Sequence, residues 1–329
     1  VCLGCDPGTH LSQEYSGPAS VIAIDCHFLQ PERASAYLIH ERDRAAFVDN
    51  NTSQAVPHLL QALKENGLRP EQVEYAIVTH IHLDHAGGTS TLLQACPHAI
   101  VLAHPRAIRH LIDPSRLLSS AEQVYGKELL EAVYGRIEPI PAERVRAVED
   151  GERRTFGHRT LTFLHTPGHA NHHLCIHDSE SNGVFTGDTF GISYGPLRRS
   201  TRPCLLPSTP PTDFDPEQAR TSVRRIVETG ADRAFLAHFG EYPSVREGAA
   251  QMIQGLDLME GIVKEILAEG EPHDDLLAFV EGRVRAEIEQ LLARGCRLPL
   301  PEEDWMWLEP EIQLNAQGLL HAAQRIRSA

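Results

Sequence analysis

The stretch "IVTHIHLDHAGG", Ile77 to Gly88, sets three histidines and an aspartate within six residues, directly after a short apolar run. A buried strand has to end where those side chains begin, because ionisable groups are costly in a dry interior unless they find partners. In an extended segment alternate residues point the same way, so His80 and His82 converge. The turn that follows can carry Asp84 and His85 toward a neighbouring position. A single histidine at a strand end is more often a hydrogen-bonded structural residue than a ligand. Four metal-compatible side chains at this spacing read as half of a metal site.

Other strand ends offer the rest. His169 follows a strand in "HTPGHANHH", Asp188 ends one in "FTGDT", and His238 ends one in "LAHFG". Each lies where apolar residues give way to a glycine-containing loop, a common place for reactive groups on a rigid scaffold. Neutral imidazole and carboxylate suit zinc, iron or manganese, whereas copper(I) or an iron–sulfur cluster asks for thiolates. Five histidines and two aspartates exceed what one tetrahedral zinc takes, and they fit two metals with open positions. The chain has nineteen histidines. Of the others, His173 and His172 are candidates to support the ligands from behind, since a ligand imidazole usually has its second nitrogen held. His104 and His165 read as structural.

The spacing of apolar residues predicts an α/β chain. Ser20–Ile24, Ala36–Ile39 and "AAFVDNN" read as strands, "AVPHLLQALKENG" as a helix stopped at Gly67, and "VEYAIVTH" and "AIVLAH" as buried strands. A helix is expected to start at "GGTSTLLQAC", directly after the histidine cluster. Residues 105–135 read as an irregular helical flap. "RTLTFLHT", "HHLCIHD", "GVFTGDT" and "RAFLAHFG" return to strand texture, and Asp213 or Asp215 is placed to cap a helix that runs to Thr229. The pattern beyond Pro243 is helical throughout. The expected division is an N-terminal extension (1–16), an α/β domain (17–242) and a helical appendage (243–329) that covers the site or forms a homodimer face. Residues 190–212 join the flap as expected pocket walls.

Composition narrows the function. The formal net charge of −15 at pH 7 repels phosphate backbones, so no nucleic-acid partner is expected. No apolar run reaches the roughly 18 to 20 residues of a membrane-spanning helix, and "VCLGCDPGTHLSQEYSG" lacks the pattern of a secretory signal. The seven cysteines are scattered and odd in number, which does not read as a disulfide framework and suggests a reducing, cytoplasmic setting. Cys2 and Cys5 form a C-x-x-C without a second pair, and read as two terminal thiols.

"THIHLDHAGG", "TPGHANHH", "FTGDT" and "LAHFG", in that order, resemble the metallo-β-lactamase superfamily of binuclear metallohydrolases over about Ser20 to Tyr242. The resemblance implies an αββα sandwich, here with a C-terminal helical appendage, and metals at one edge of its sheets. It implies that His80, His82 and His169 hold one metal, that Asp84, His85 and His238 hold a second, and that Asp188 bridges them. Asp49 in "FVDNN" matches a supporting strand-end aspartate; Asn51 stands where the family often has glycine, which alters the turn. "TPGHANHH" is similar to the glyoxalase II pattern, without an evident basic cluster for glutathione. Lactonases share the ligands, and Tyr194 in "GISYG" resembles their substrate-facing tyrosine.

The activity so implied is hydrolysis of an ester, thioester or lactone in a small molecule by a hydroxide bridging two divalent metal ions. Zinc is the first expectation, with iron or manganese as alternatives, and Asp84 is the expected proton carrier. Two other classes stay open: a non-haem diiron protein that binds oxygen, and a metal-containing sensor without catalysis.

Overall fold

The computed structural model describes residues 19–199, 203–211, 213–268, 276–297 and 299–328; the N-terminal extension with Cys2 and Cys5 lies outside them. Strands β1 (Ala19–Asp25), β2 (Ser35–Glu41), β3 (Arg44–Val48), β4 (Val73–Ile77), β5 (Ile100–Ala103) and β6 (Val145–Ala147) lie side by side in that order. The first three pair antiparallel, and β3 to β6 run parallel. Parallel neighbours need a crossover, usually helical. Here the crossovers are α1 (Val56–Glu65), then α2 (Leu83–Ala86) with α3 (Thr89–Ala95), then α4 (Ile108–Ile112), α5 (Ser115–Tyr125) and α6 (Lys127–Tyr134). The second sheet holds β7 (Arg153–Phe156), β8 (Arg159–His165), β9 (Leu174–Asp178), β10 (Gly183–Gly187), β11 (Arg233–Leu236) and β12 (Gly240–Tyr242). Its one parallel pair, β10 with β11, is joined through α7 (Pro216–Glu228).

Three apolar layers follow from this order. Val48, Ile77, Leu102, Phe163, Ile176 and Phe185 fill the space between the sheets. Leu59, Leu63, Leu92 and Val101 pack α1 and α3 on the outer face of the first sheet. The outer face of the second carries α7, α8 (Val245–Ala268), α9 (Leu276–Gln290) and α11 (Glu309–Arg327), with the short α10 (Glu302–Trp305) before the last. The fold is therefore αββα with C-terminal helices. Those helices have no separate core: Met259, Val284 and Leu319 belong to the same cluster as Val184 and Leu236 of the second sheet.

Local details refine the sequence reading. Asp215 caps α7, its carboxylate accepting from the backbone N–H of Glu217 and Gln218 at 3.1 and 3.0 Å, with Pro216 in the first turn. Asp213 instead accepts from the backbone and side chain of Asn171, and so pins the loop after His169. The histidine cluster does not merely precede a helix, since Asp84 and His85 lie on α2 itself. Cysteine pairing also departs from expectation. Cys204 and Cys296 form a disulfide with Cα atoms 5.8 Å apart, although 92 residues separate them in sequence; such a pair is set by tertiary placement, which spacing cannot reveal. Cys26, Cys96 and Cys175 are free and buried.

The two sheets are also joined by charge. Arg159 on β8 is fully buried between Glu41 of β2, 3.3 Å away, and Asp178 of β9, 2.5 Å away. Removing one member of a buried ion network leaves the others without compensation, typically at about 3–5 kcal/mol. Arg159→Leu is expected to lower the urea midpoint by a loss of that order; an unchanged unfolding curve would show that the sheets do not depend on this network.

Candidate metal centre

The strands of both sheets end at one edge, and the polar side chains of the motifs meet there. His80 and His82 follow β4, where the chain is still extended (His82 φ −60°, ψ 147°) before α2 begins. His169 follows β8, Asp188 follows β10 and His238 follows β11. Two groups of donor atoms result, one of His80, His82, His169 and Asp188, the other of Asp84, His85 and His238; within each group the atoms lie within 4.8 Å of one another.

Asp188 stands between the groups. Its Oδ2 is 3.4 Å from His169 Nε2, while its Oδ1 is 3.3 Å from His85 Nε2 and 3.5 Å from His238 Nε2. Asp84 completes the second group, with Oδ2 3.4 Å from His238 Nε2 and 3.7 Å from His85 Nε2. In the first group His82 Nδ1 lies 2.9 Å from His80 Nε2 and 3.1 Å from His169 Nε2. Asp188 Oδ1 is buried and makes no hydrogen bond. An orphaned buried carboxylate oxygen facing imidazole nitrogens fits a cation held between them, since such atoms are otherwise nearly always satisfied.

Four of the five imidazoles are oriented from behind. Thr79 Oγ1 donates to Asp49 Oδ2 at 2.9 Å, so at His80 Nδ1, 3.1 Å away, the threonine must accept, which leaves His80 Nε2 free for the centre. Asp49 Oδ2 also holds His85 Nδ1 at 3.0 Å. Backbone carbonyls do the same elsewhere: Arg33 for His238 Nδ1 at 3.0 Å, and Ser208 for His169 Nδ1 at 3.3 Å. Such partners fix tautomer and ring direction. Asp49 and Asn51 both adopt positive φ, 57° and 54°, which Asp and Asn tolerate better than most residues. Asn51 therefore does what glycine would do in this turn and adds a bond, Nδ2 to the Asp84 carbonyl at 2.7 Å.

His173 supports a backbone rather than a ligand ring. Its Nε2 accepts from the Asp188 N–H at 3.1 Å, and its Nδ1 faces the hydroxyls of Thr166 and Thr189. Gly187 is required beside it, at φ 47°, because a Cβ there would sit 2.4 Å from His173 Nε2. His172 lies on the outer side, 5.8 Å ring to ring from His82. His104 and His165 pack on each other 4.1 Å apart, away from both donor groups. Tyr194 is buried, with its ring 6.4 Å from that of His238 and its hydroxyl donating to the Trp307 carbonyl at 3.5 Å. It forms part of the wall beneath the C-terminal segment rather than an open contact surface.

The C-terminal helices reach the centre twice. Asn315 on α11 binds the backbone N–H of Thr209 at 2.7 Å and the Pro207 carbonyl at 3.1 Å, which fixes the loop that carries Ser208. Glu311, also on α11, pairs with Arg33 at 3.7 Å.

Burial, followed by the neighbouring imidazoles, holds His80 well below its usual value; burial and His169 bring His82 down to about 4, and burial chiefly lowers His169. These rings are neutral near pH 7 and have a lone pair to give. Burial alone would raise Asp84 and Asp188, yet His85 and His238 outweigh it and keep both below the usual range. Burial alone would lower His85 and His238, but Asp188 and Asp84 prevail: His85 lies well above its usual value and His238 rises to about 9.

The family model of the metallo-beta-lactamase superfamily matches residues 29–238, all of the donors included. The chain belongs to that superfamily. The metallo-beta-lactamase fold-containing protein ST1585 of Sulfurisphaera tokodaii is 28% identical over 214 residues, which are 64% of this chain and 74% of that protein. Two thioesterases match shorter stretches. The acyl-coenzyme A thioesterase MBLAC2 of Gallus gallus is 25% identical over 47% of this chain and 57% of its own length. The atrochrysone carboxyl ACP thioesterase of Aspergillus chevalieri is 28% identical over 48% of this chain and 41% of its own length. Among solved structures, TTHA1429 from Thermus thermophilus aligns with TM-score 0.62 at 20% identity, over 94% of this chain and 93% of that one. ST1585 aligns with TM-score 0.60 at 23% identity, over 91% of this chain and 98% of that one. Coverage that high takes in the C-terminal helices, and at these identities the likeness is one of fold. The superfamily is metal-dependent, and the donor groups here are of a kind that holds metal.

The raised histidines set a sign for pH. In metal-free protein, the stabilisation that His238 gains from Asp188 and Asp84 is fully present below about 6.5 and is lost as pH rises through about 9. A cation entering the second group must displace those protons, so metal uptake at about pH 7 is expected to release protons, and affinity at this group to climb as pH rises toward about 9. Calorimetric titration with zinc in buffers of different ionisation enthalpy measures the release; heats independent of the buffer would contradict it.

Proposed function

We propose that the protein is a hydrolase that holds two divalent metal ions, zinc in the first place, and cleaves an ester or thioester bond in a small molecule. The observation that carries this reading is Asp188, which turns one carboxylate oxygen to each donor group and leaves one of them without a hydrogen bond. His80, His82 and His169 would hold one ion, Asp84, His85 and His238 the other, and Asp188 both. When bound, such ions acidify water and polarise a carbonyl.

The chain's own residues supply the rest. Thr79, Asp49 and the carbonyls of Arg33 and Ser208 hold the rings so that no reorientation is needed during turnover. Asp84 is about a quarter exposed, whereas Asp188 is almost fully buried. Asp84 is therefore the carboxylate that can pass a proton to a leaving group in the cleft. Thioesters are favoured over lactones because two relatives are thioesterases by name, and because Tyr194, the lactonase-like residue, is enclosed. The acidic chain suits a small-molecule substrate over a nucleic acid. Among the described residues no helix is long and apolar enough to cross a membrane.

A panel of ester, thioester, lactone and phosphodiester substrates tests the reading. The thioester or ester is expected to turn over in the metal-loaded protein, with His82→Ala reducing metal content and activity together. Asp84→Asn is expected to reduce kcat by about 10²–10⁴-fold, the usual contribution of a positioned proton carrier. Full activity and full metal content in His82→Ala would overturn the assignment, and an inactive panel with two irons bound would favour the redox alternative.

A further inference from the structure

Arg33 is the cation of this cleft whose side chain the hydrolase reading leaves without a task. It ends the loop between β1 and β2, and its side chain is only 10% exposed. Its position is fixed at both ends. The backbone carbonyl is bound to His238 Nδ1 at 3.0 Å, and the guanidinium lies over the Tyr194 ring, 5.2 Å from its centroid. Yet among the described residues the guanidinium donates no hydrogen bond. Its one acidic neighbour, Glu311 of α11, stays 3.7 Å away. A largely buried guanidinium normally spends its donors in pairs on a carboxylate, and the Arg33 nitrogens are not among the buried atoms that are sealed from solvent without a partner.

We propose that Arg33 is an anion-recognition site beside the second donor group, built to receive a carboxylate carried by the substrate, with Glu311 as the counter-ion that the ligand's carboxylate displaces. The favoured substrates are then esters or thioesters with a second, free carboxylate, such as half-esters of short dicarboxylic acids. The direction of recognition follows from which partner is fixed: Arg33 is anchored through its carbonyl on His238 and its stacking on Tyr194, while Glu311, which meets the Tyr194 hydroxyl, stays 3.7 Å from the guanidinium without pairing it at hydrogen-bond distance. A cationic ligand would have to compete with a rigid guanidinium at contact distance. This inference names a substrate class for the proposed hydrolase and rests on that reading, but its binding test does not require turnover.

Calorimetric titration of the metal-loaded protein with glutarate and with butanoate compares a second carboxylate against none, both ligands having one carboxylate to offer the metals. Glutarate is expected to bind at least about tenfold more tightly, from a charge-assisted bidentate pair. Arg33→Met is expected to abolish that preference, Arg33→Lys to keep part of it, and Glu311→Gln to widen it by removing the competitor. A purely structural Arg33–Glu311 pair predicts otherwise: Arg33→Met and Glu311→Gln lower thermal stability, and none of the three variants changes the glutarate-to-butanoate ratio. Equal affinities, no glutarate binding, or a preference that survives in Arg33→Met would each overturn the proposal. If the preference holds while no ester or thioester is cleaved, the hydrolase reading fails and the site stands. If esters are cleaved without any preference, the site alone falls.

Discussion

The structure is organised around the Asp188 carboxylate, set where five imidazoles and a second carboxylate come together at one sheet edge. So many titratable groups in a dry space repel, desolvate and protonate one another unless something neutralises them in common. In metal-free protein that role is shared unevenly. His85 and His238 carry protons for the two carboxylates, while the rings of the first group stay neutral. The arrangement is thus already divided into a neutral-histidine half and a proton-holding half.

Much of this was legible in the sequence because the chemistry is local. H-x-H-x-D-H after an apolar strand needs only the alternation of an extended chain and one tight turn to place its side chains, and Leu83–Ala86 supplies that turn as α2. Asp188 and His238 announce themselves in the same way, as ionisable residues at the end of buried strands. The αββα order follows from the parallel strands and their crossovers.

What was not legible acts at long range or through the backbone. The carbonyls of Arg33 and Ser208 orient His238 and His169, and a carbonyl carries no residue signature. Asn315 reaches the Ser208 loop across more than a hundred residues of chain, a contact that apolar periodicity in α11 gave no reason to expect. The close approach is visible at Gly318, where a Cβ would lie 1.7 Å from the Thr209 carbonyl. Thr79 and Asn51 had a local signal that composition alone obscures: a hydroxyl beside His80, and an asparagine where the turn requires positive φ. The Cys204–Cys296 pair belongs to the same category of tertiary facts. Asn315 and Glu311 bring α11 against the Ser208 loop and Arg33, beside the centre.

The central claim, that Asp188 is shared by two cations, is tested most directly by anomalous X-ray diffraction at the absorption edge of the bound metal, on crystals of protein purified with its metals. The account predicts two peaks, one among His80, His82 and His169 and one among Asp84, His85 and His238, with a different Asp188 oxygen facing each. A single peak, or none beside Asp188, would contradict it.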